Sequence, residues 1–298
     1  MELWQALVLG IVEGLTEFVP VSSTGHLILV QHFLGLSGEG VAPYAVVIQL
    51  GALLAAVYYY RRILIDTAVG LMQRRPAAQR LAVNLALGSL PLLILGYGLG
   101  KRIKARLFAP GPVAAAILVG GVVMVALDLW QRRRQHRQPG QHGQQPATPG
   151  AAPLLDDPAA LSSPRALLVG MIHTLALWPG TSRSFASITG GQLAGLSTRA
   201  AADFAFLLAL PTLGAATLYE LIKEGPVIAA TCGSAQLVLG LAVSFVVGLL
   251  VIAAFLRYLR RFGLWAFGCY RIALGLLLLW ALAAGVDGSA LAHPARWH

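Results

Sequence analysis

Charge is what this sequence has least of. Asp, Glu, Lys and Arg make up only 11% of its 298 residues, against about 25% in an ordinary soluble domain. The apolar fraction is 57% and the mean hydropathy +0.72. A globular core cannot absorb that much apolar side chain, whereas lipid can, so a water-soluble fold is excluded. Cysteine is nearly absent as well. Cys232 and Cys269 stand in separate apolar segments and match no metal spacing, which leaves them as small apolar fillers. The N-terminus, Met1-Glu-Leu-Trp4, lacks the basic stretch of a cleaved signal peptide, so the first segment is expected to stay in the mature protein.

What the sequence does have is apolar runs of about 20 residues, the length that crosses a bilayer. Six are expected to span, at roughly 41–60, 81–99, 111–130, 199–222, 234–256 and 264–284. Two more segments, about 3–36 and 164–197, are apolar but interrupted. The first carries Glu13, Glu17, Pro20, Ser22, Ser23, Thr24 and His26. The second carries His173, Pro179, Gly180, Ser182, Arg183 and Ser184. Each suits a helix hairpin that enters the membrane and returns, a backbone tolerated at depth only inside protein or beside a water-filled cavity. Residues 131–163, rich in Gln, Pro, Gly and Ala after Arg132-Arg133-Arg134, read as a flexible surface linker.

That linker divides the chain into similar halves. An offset of 160 residues lays Glu13-Gly-Leu-Thr-Glu17 on His173-Thr-Leu-Ala-Leu177, and Ser22-Ser23-Thr24 on Ser182-Arg183-Ser184. Each half has one hairpin and three crossings. Three is odd, so the second half is inverted relative to the first and the hairpins enter from opposite faces. Inverted repeats with broken helices place their sites near the midplane. The expected fold is therefore an all-α integral membrane protein, a single domain over 1–298. It has six transmembrane helices plus two re-entrant hairpins as an inverted-topology repeat (1–130 and 164–298).

Net charge is +10, from 22 basic against 12 acidic residues. In a soluble protein that would suggest nucleic acid. Here the basic residues sit in clusters between spans, the pattern of loops facing anionic lipid, and no nucleic-acid partner is expected. One side receives Arg61, Arg62, Arg74, Arg75, Arg80, the 132–137 cluster and Arg257, Arg260 and Arg261. The other receives Lys101, Arg102, Lys104, Arg106 and Lys223. The richer side is expected to be cytoplasmic, with both termini outside. Gly96 and Gly100 have the small-xxx-small spacing of helix dimers, but that spacing is too common in apolar helices to decide on a homodimer.

The chemistry concentrates in the two interrupted segments. Glu13 and Glu17, four apart, put both carboxylates on one helix face. Within a membrane such a pair calls for a proton or a cation between them. A solvated interfacial face is the plainer reading, but Ile11, Val12, Leu15 and Phe18 around them are apolar. Ser22, Ser23, Thr24 and His26 follow. Singly they read as helix caps and a core histidine; beside two glutamates they read as a site. In Pro179-Gly180-Thr181-Ser182-Arg183-Ser184, Arg183 cannot lose its proton and needs an anion. That anion is Glu13 or Glu17 as an ion pair, or a ligand phosphate that fits the guanidinium fork. A contact charge pair at 4 Å is worth about 4 kcal/mol at an effective dielectric of 20. A diphosphate in a membrane cleft therefore needs several donors, and the small residues around Arg183 leave backbone N–H groups free to help.

The segment from Glu13 to His26 resembles the glutamate-rich first motif of the undecaprenyl-diphosphate phosphatases, the bacitracin-resistance BacA/UppP family. Leu175-Ala-Leu-Trp178-Pro179-Gly180-Thr181-Ser182-Arg183-Ser184 is similar to their second motif, and Val47-Ile-Gln49-Leu-Gly51 and Phe206-Leu-Leu-Ala-Leu-Pro211 extend the likeness. The resemblance implies hydrolysis of undecaprenyl diphosphate to undecaprenyl phosphate and inorganic phosphate in the bacterial inner membrane. That reaction recycles the carrier for peptidoglycan synthesis and confers bacitracin resistance. It implies catalytic roles for Glu17, Ser23, His26 and Arg183, and substrate contacts from Ser22, Thr24, Gly180, Thr181, Ser182 and Ser184. It also implies an outward-facing, periplasmic site. Carboxylate and phosphate oxygens suit hard cations, so Glu13 and Glu17 are expected to hold a divalent cation, Mg²⁺ or Ca²⁺, or one of them to act as a base. Phe185-Ala186-Ser187 departs from the family's Gly-Ala-Thr, and His173 stands where the family often has Gln. Ser23, His26 and water remain open as nucleophile. A prenyl-phosphate transporter is the alternative that an inverted repeat also suits, and a scaffold leaves the intramembrane charges without a reason.

Overall fold

A computed structural model describes residues 1–36, 41–107, 109–136 and 154–284. Among them are eleven α-helices and no strand beyond one isolated bridge between Leu155 and Leu196. In chain order the helices are α1 Leu3–Thr16, α2 Ser23–Phe33, α3 Val41–Tyr59, α4 Arg61–Met72, α5 Pro76–Leu107, α6 Pro110–His136, α7 Ser163–His173, α8 Arg183–Leu193, α9 Thr198–Thr231, α10 Ser234–Phe262 and α11 Trp265–Ala283. An all-helical answer follows from the solvent: in lipid a helix satisfies its own backbone groups. Five stretches are long and apolar enough to cross a membrane: Pro76–Gly100, Pro110–Arg133, Thr198–Ile228, Ser234–Phe262 and Trp265–Ala283. A sixth span exists only if α3 and α4, bent by 67° at Tyr60, are taken together.

Two helix pairs behave differently. Gln5, near the start of α1, donates from Nε2 to Leu34 O just past α2 (3.3 Å), so that pair leaves and returns at one end of the bundle. Gln236 Nε2, on the first turn of α10, donates to Met1 O and marks the same end. The α7–α8 pair opens at the other end. Leu155 N donates to Gly195 O and Ser197 N to Leu155 O (both 2.9 Å) beyond α8. Gln131 of α6 donates to Leu196 O there, and Arg132 to Phe262 O at the end of α10. The α1–α2 pair is therefore tied down at one end of the bundle and the α7–α8 pair at the other. Their seating is reciprocal as well: α1 lies against α10 and α7 against α5, while α3 faces α9 and α6 faces α11.

The structure amends the expected boundaries in two places. Helix α4, with Arg61 and Arg62 at its start, was expected as an inter-span loop, because charge broke the apolar run. The linker is also narrower than 131–163. Residues 131–136 extend α6, and 154–163 pack back on the bundle, with Leu161 fully buried and its carbonyl held by Asn84 Nδ2 at 2.7 Å. The remaining linker residues, 137–153, lie outside the described residues.

Helices α6 and α11 meet closely enough that side chains are excluded. A Cβ at Gly121 would come 2.8 Å from both Gly268 O and Ile272 N, backbone atoms that cannot turn aside. Without water between them, helices in lipid gain most from such close van der Waals contact. Gly121→Ile should therefore push α11 away from α6, at a cost of about 1–3 kcal/mol. The measurement is thermal unfolding in detergent, and a melting temperature equal to wild type would refute the contact.

Candidate active site

The hairpin tips are built alike. Ser22 and Ser182 both take positive φ, 77° and 74°, which is rare for residues other than glycine. Both cap the helix that follows: Ser22 Oγ accepts from Gly25 N at 3.4 Å and Ser182 Oγ from Phe185 N at 3.3 Å. They stand 160 residues apart, the offset that aligned the two halves of the sequence. In the second tip Gly180 has φ 89° and sits where a Cβ would meet Val113 O at 2.6 Å, so no other residue fits. Helix α1 ends at Thr16, before Pro20, and Glu17 continues its helical turn with N–H to Glu13 O at 3.0 Å. Pro20 thus lies inside the turn rather than ending the helix.

These tips bring the sequence candidates together around one carboxylate. Glu17 Oε2 accepts from Ser23 Oγ at 2.5 Å, and Glu17 Oε1 accepts from Arg183 Nη2 at 3.0 Å. Arg183 also donates to Gln49 Oε1 at 3.3 Å. The carboxylate side chain is 5% exposed and the guanidinium side chain 27%, so the pair is enclosed but reachable from the arginine side. Ser184 Oγ donates to Val19 O (3.1 Å) and lies 2.9 Å from Ser182 Oγ, knitting one tip to the other. Ser23 and Arg183 are the first residues of α2 and α8, so two helix N-termini, each favourable to an anion, belong to one site. Thr24 is half-buried on the first turn of α2, and Thr181 is buried in the second tip.

His26 is not part of that cluster's hydrogen bonding. Its Nδ1 lies 2.8 Å from Ser22 O, and its Nε2 lies 2.6 Å from Tyr270 Oη, with the two rings stacked at 5.7 Å. Next to Tyr270, Arg271 is fully buried and has no carboxylate partner among the described residues. It spends its donors on five carbonyls: Pro20 O (3.2 Å) in the first tip, Gly180 O and Thr181 O (both 3.0 Å) in the second, and Ala116 O (3.0 Å) and Ile117 O (3.2 Å) on α6. The Phe185 ring lies 5.0 Å from its Cζ, so the bulk that departs from the family pattern serves as a platform for this arginine.

Comparison with known proteins meets this geometry at the same residues. The family model described as bacitracin resistance protein BacA matches residues 6–277, which contain both tips and Arg271. The chain belongs to this family. A protein of Sorangium cellulosum named undecaprenyl-diphosphatase is 51% identical over 93% of this chain and 85% of its own length. Undecaprenyl-diphosphatase 1 of Stutzerimonas stutzeri is 42% identical over 94% of this chain and 95% of its own. An undecaprenyl-diphosphatase of Methylococcus capsulatus is 44% identical over 92% and 93%.

A divalent cation is expected on Glu13 and Glu17, and the donor set can be tested for it. Glu13 is fully buried and no donor among the described residues reaches its carboxylate oxygens; its polar neighbour is the Glu17 carboxyl, so the pair suits a shared proton or a cation. Both oxygens of Glu17 are already engaged. No group of three His, Cys, Asp or Glu suited to a metal occurs among the described residues. Glu13 and Glu17 are the residues that would hold such a cation, and the rest of its oxygens would have to come from phosphate or water.

Sequence reading passed over Gln49, Tyr270 and Arg271. Arg271 had a visible signal, being a cation in the middle of an apolar 19-residue helix. Arg271→Lys keeps the charge but loses the planar fork and at least two of the five donated bonds. It should lower the melting temperature and cut catalytic turnover at least tenfold, whereas a lysine variant with wild-type stability would mean the carbonyls need no such clamp.

Proposed function

We infer that this chain hydrolyses undecaprenyl diphosphate to undecaprenyl phosphate and inorganic phosphate. The observation that carries the reading is Glu17, whose two oxygens join the Ser23 hydroxyl to the Arg183 guanidinium where two helix N-termini converge. That is the equipment of phosphoryl transfer: a hydroxyl beside a base, and a planar cation that binds phosphate bidentately. The 51% and 42% identical relatives named for this activity support it over nearly the whole chain.

The lipid arrives from the side, its prenyl chain remaining in the bilayer. Arg183 and the N-terminal amides of α2 and α8 receive the diphosphate. Glu17 draws the Ser23 proton, and Ser23 Oγ attacks the terminal phosphorus in line with the bridging oxygen, which leaves with the prenyl phosphate. Water then attacks the phosphoserine phosphorus as Glu17 takes a proton from that water and gives one to the departing Ser23 Oγ; inorganic phosphate leaves, and the one proton remaining on Glu17 passes to solvent. The 2.5 Å bond favours Ser23 as nucleophile over His26, whose ring nitrogens are turned to Ser22 O and Tyr270. Ser22, Thr24, Gly180, Thr181, Ser182 and Ser184 shape the tips that carry the amides. A Mg²⁺ or Ca²⁺ on Glu13 and Glu17 would supply charge neutralisation at the phosphates when bound.

The finer architecture belongs to the same proposal. The tips enter from opposite ends, and the matching turns at Ser22 and Ser182 support an inverted repeat of re-entrant hairpins. The end that gathers Arg61, Arg132, Arg199 and Arg261 is cytoplasmic. The site takes its lipid from the periplasmic leaflet of the inner membrane.

Phosphate release from a C15 or C55 prenyl diphosphate by purified protein tests the reading. Arg183→Ala and Ser23→Ala should each lose at least about a hundredfold in kcat/KM, on the scale of losing a charge-stabilising group or a nucleophile. Release by wild type that survives either change would remove that residue from the mechanism. In the same assay EDTA should abolish release and Mg²⁺ or Ca²⁺ restore it, and Glu13→Gln should raise the metal concentration needed. Activity indifferent to EDTA would reject the cation. Lipid movement in proteoliposomes without phosphate release would favour the transporter.

A further inference from the structure

A small cavity lies against the Glu17–Arg183 pair, walled by Glu17, His173, Arg183, Ser184, Ser187 and Thr212 among others. About 10 Å³ of it is open to the centre of a water-sized sphere, room for about one oxygen atom. The hydroxyls on its wall already donate elsewhere: Ser187 Oγ to Arg183 O at 2.7 Å, Thr212 Oγ1 to Leu208 O at 2.8 Å and Ser184 Oγ to Val19 O at 3.1 Å. Donors left for an oxygen in the cavity are Arg183 and the imidazole of His173.

His173 is 1% exposed, and its Nδ1 has no hydrogen-bond partner. A buried polar atom without a partner destabilises a fold. The cavity's other neighbours, Phe18, Ala205, Phe206 and Ala209, would accommodate an apolar side chain. No hydrogen bond to a described residue compensates for an imidazole there. Its place in the fold points the same way. His173 ends α7 as Glu13 nears the end of α1, and the two stand at the offset that relates Ser22 to Ser182. Each hairpin thus holds one fully enclosed, uncommitted polar group next to its tip, and the two groups are of opposite chemical character, a carboxylate and a ring that can donate N–H.

We propose that His173 is a phosphate-binding residue: its ring N–H donates to one oxygen of the phosphate held by Arg183, and that oxygen enters the cavity. The inference rests on the phosphatase reading for the identity of the ligand. It divides labour between the hairpins, with Glu13 meeting the cation that accompanies a phosphate and His173 meeting the phosphate itself.

The test compares full-length wild type with His173→Leu and His173→Gln, purified in detergent, using inorganic phosphate as the probe. Thermal unfolding is followed as phosphate is added, since a ligand of the folded state raises the melting temperature. Wild type should show the rise. The leucine variant should need at least about tenfold more phosphate for it, the loss of a hydrogen bond to an anion. Without phosphate it should melt at or above the wild-type temperature, because an unpaired polar group has been removed. The glutamine variant, which keeps an amide donor, should stay within about threefold of wild type. With a C15 prenyl diphosphate, KM should rise about tenfold in the leucine variant and kcat should change less.

A leucine variant with wild-type phosphate affinity and KM overturns the proposal. So does one that is impaired together with the glutamine variant and melts lower, or that cannot be obtained folded, since each means packing alone. If wild type responds to phosphate through His173 but releases none from the prenyl diphosphate, the phosphatase reading fails and the binding role stands. If wild type is an active phosphatase and His173→Leu matches it, the binding role alone fails.

Discussion

Everything at the centre of this protein depends on one arginine that meets no carboxylate among the described residues. Arg271 holds Pro20 of one hairpin tip, Gly180 and Thr181 of the other, and two carbonyls of α6. Irregular backbone inside a membrane exposes carbonyls that neither a helix nor water can satisfy. On the proposed architecture the turn residues between α1 and α2, and those leading into α8, are of that kind. A guanidinium is the side chain suited to them, because its five N–H groups radiate in one plane and stay charged. A lipid-facing arginine would be very costly; this one is stable because partial negative charge surrounds it. The clamp also fixes distance. With the tips locked to the same group, Ser23 and Arg183, which follow the tips, are held to either side of Glu17.

The small residues in the tips and on α6 are consequences of that clamp. Gly120 on α6 could not carry a Cβ without meeting the Arg271 guanidinium, and Gly180 could not without meeting Val113 O. Two serines accept an unfavourable φ so that each tip can turn straight into a new helix. Their hydroxyls offset part of that strain by capping the helix they begin. Strain, close backbone contact and a buried cation thus concentrate within one region, the pattern of a site for which the rest of the bundle provides the rigidity.

How far the sequence disclosed this differs by the kind of signal. Lipid exposure leaves a direct mark, so the long spans could be placed from apolar runs alone. The motif residues Glu13, Glu17, Ser23 and Arg183 stood out because charge and hydroxyl are conspicuous against an apolar background. Ser22 and Ser182 could be paired by a fixed offset, although nothing in composition announces a positive φ. What stayed hidden was contact across the chain. Tyr270 is 244 residues from the His26 it binds, and Gln49 is 134 residues from Arg183. Helix α4 was hidden for another reason: its exposed surface mixes Arg61 and Arg62 with Ile65 and Met72, which breaks the uniform apolar run that marks a span.

The Glu17–Arg183 ion pair raises a question of exchange. Sequence offered Arg183 either a glutamate or a phosphate as its anion, and in the structure it has the glutamate. On the proposed reading both answers hold in turn. A diphosphate entering from the exposed side of Arg183 competes with Glu17 Oε1 for the guanidinium. As Arg183 turns its donors toward phosphate, Glu17 Oε1 is released from the ion pair while Oε2 keeps the Ser23 hydroxyl, so the same carboxylate is left to serve Ser23 alone. On the same reading Glu13 and His173, fully enclosed beside the two tips, are the groups that meet the charge a substrate brings.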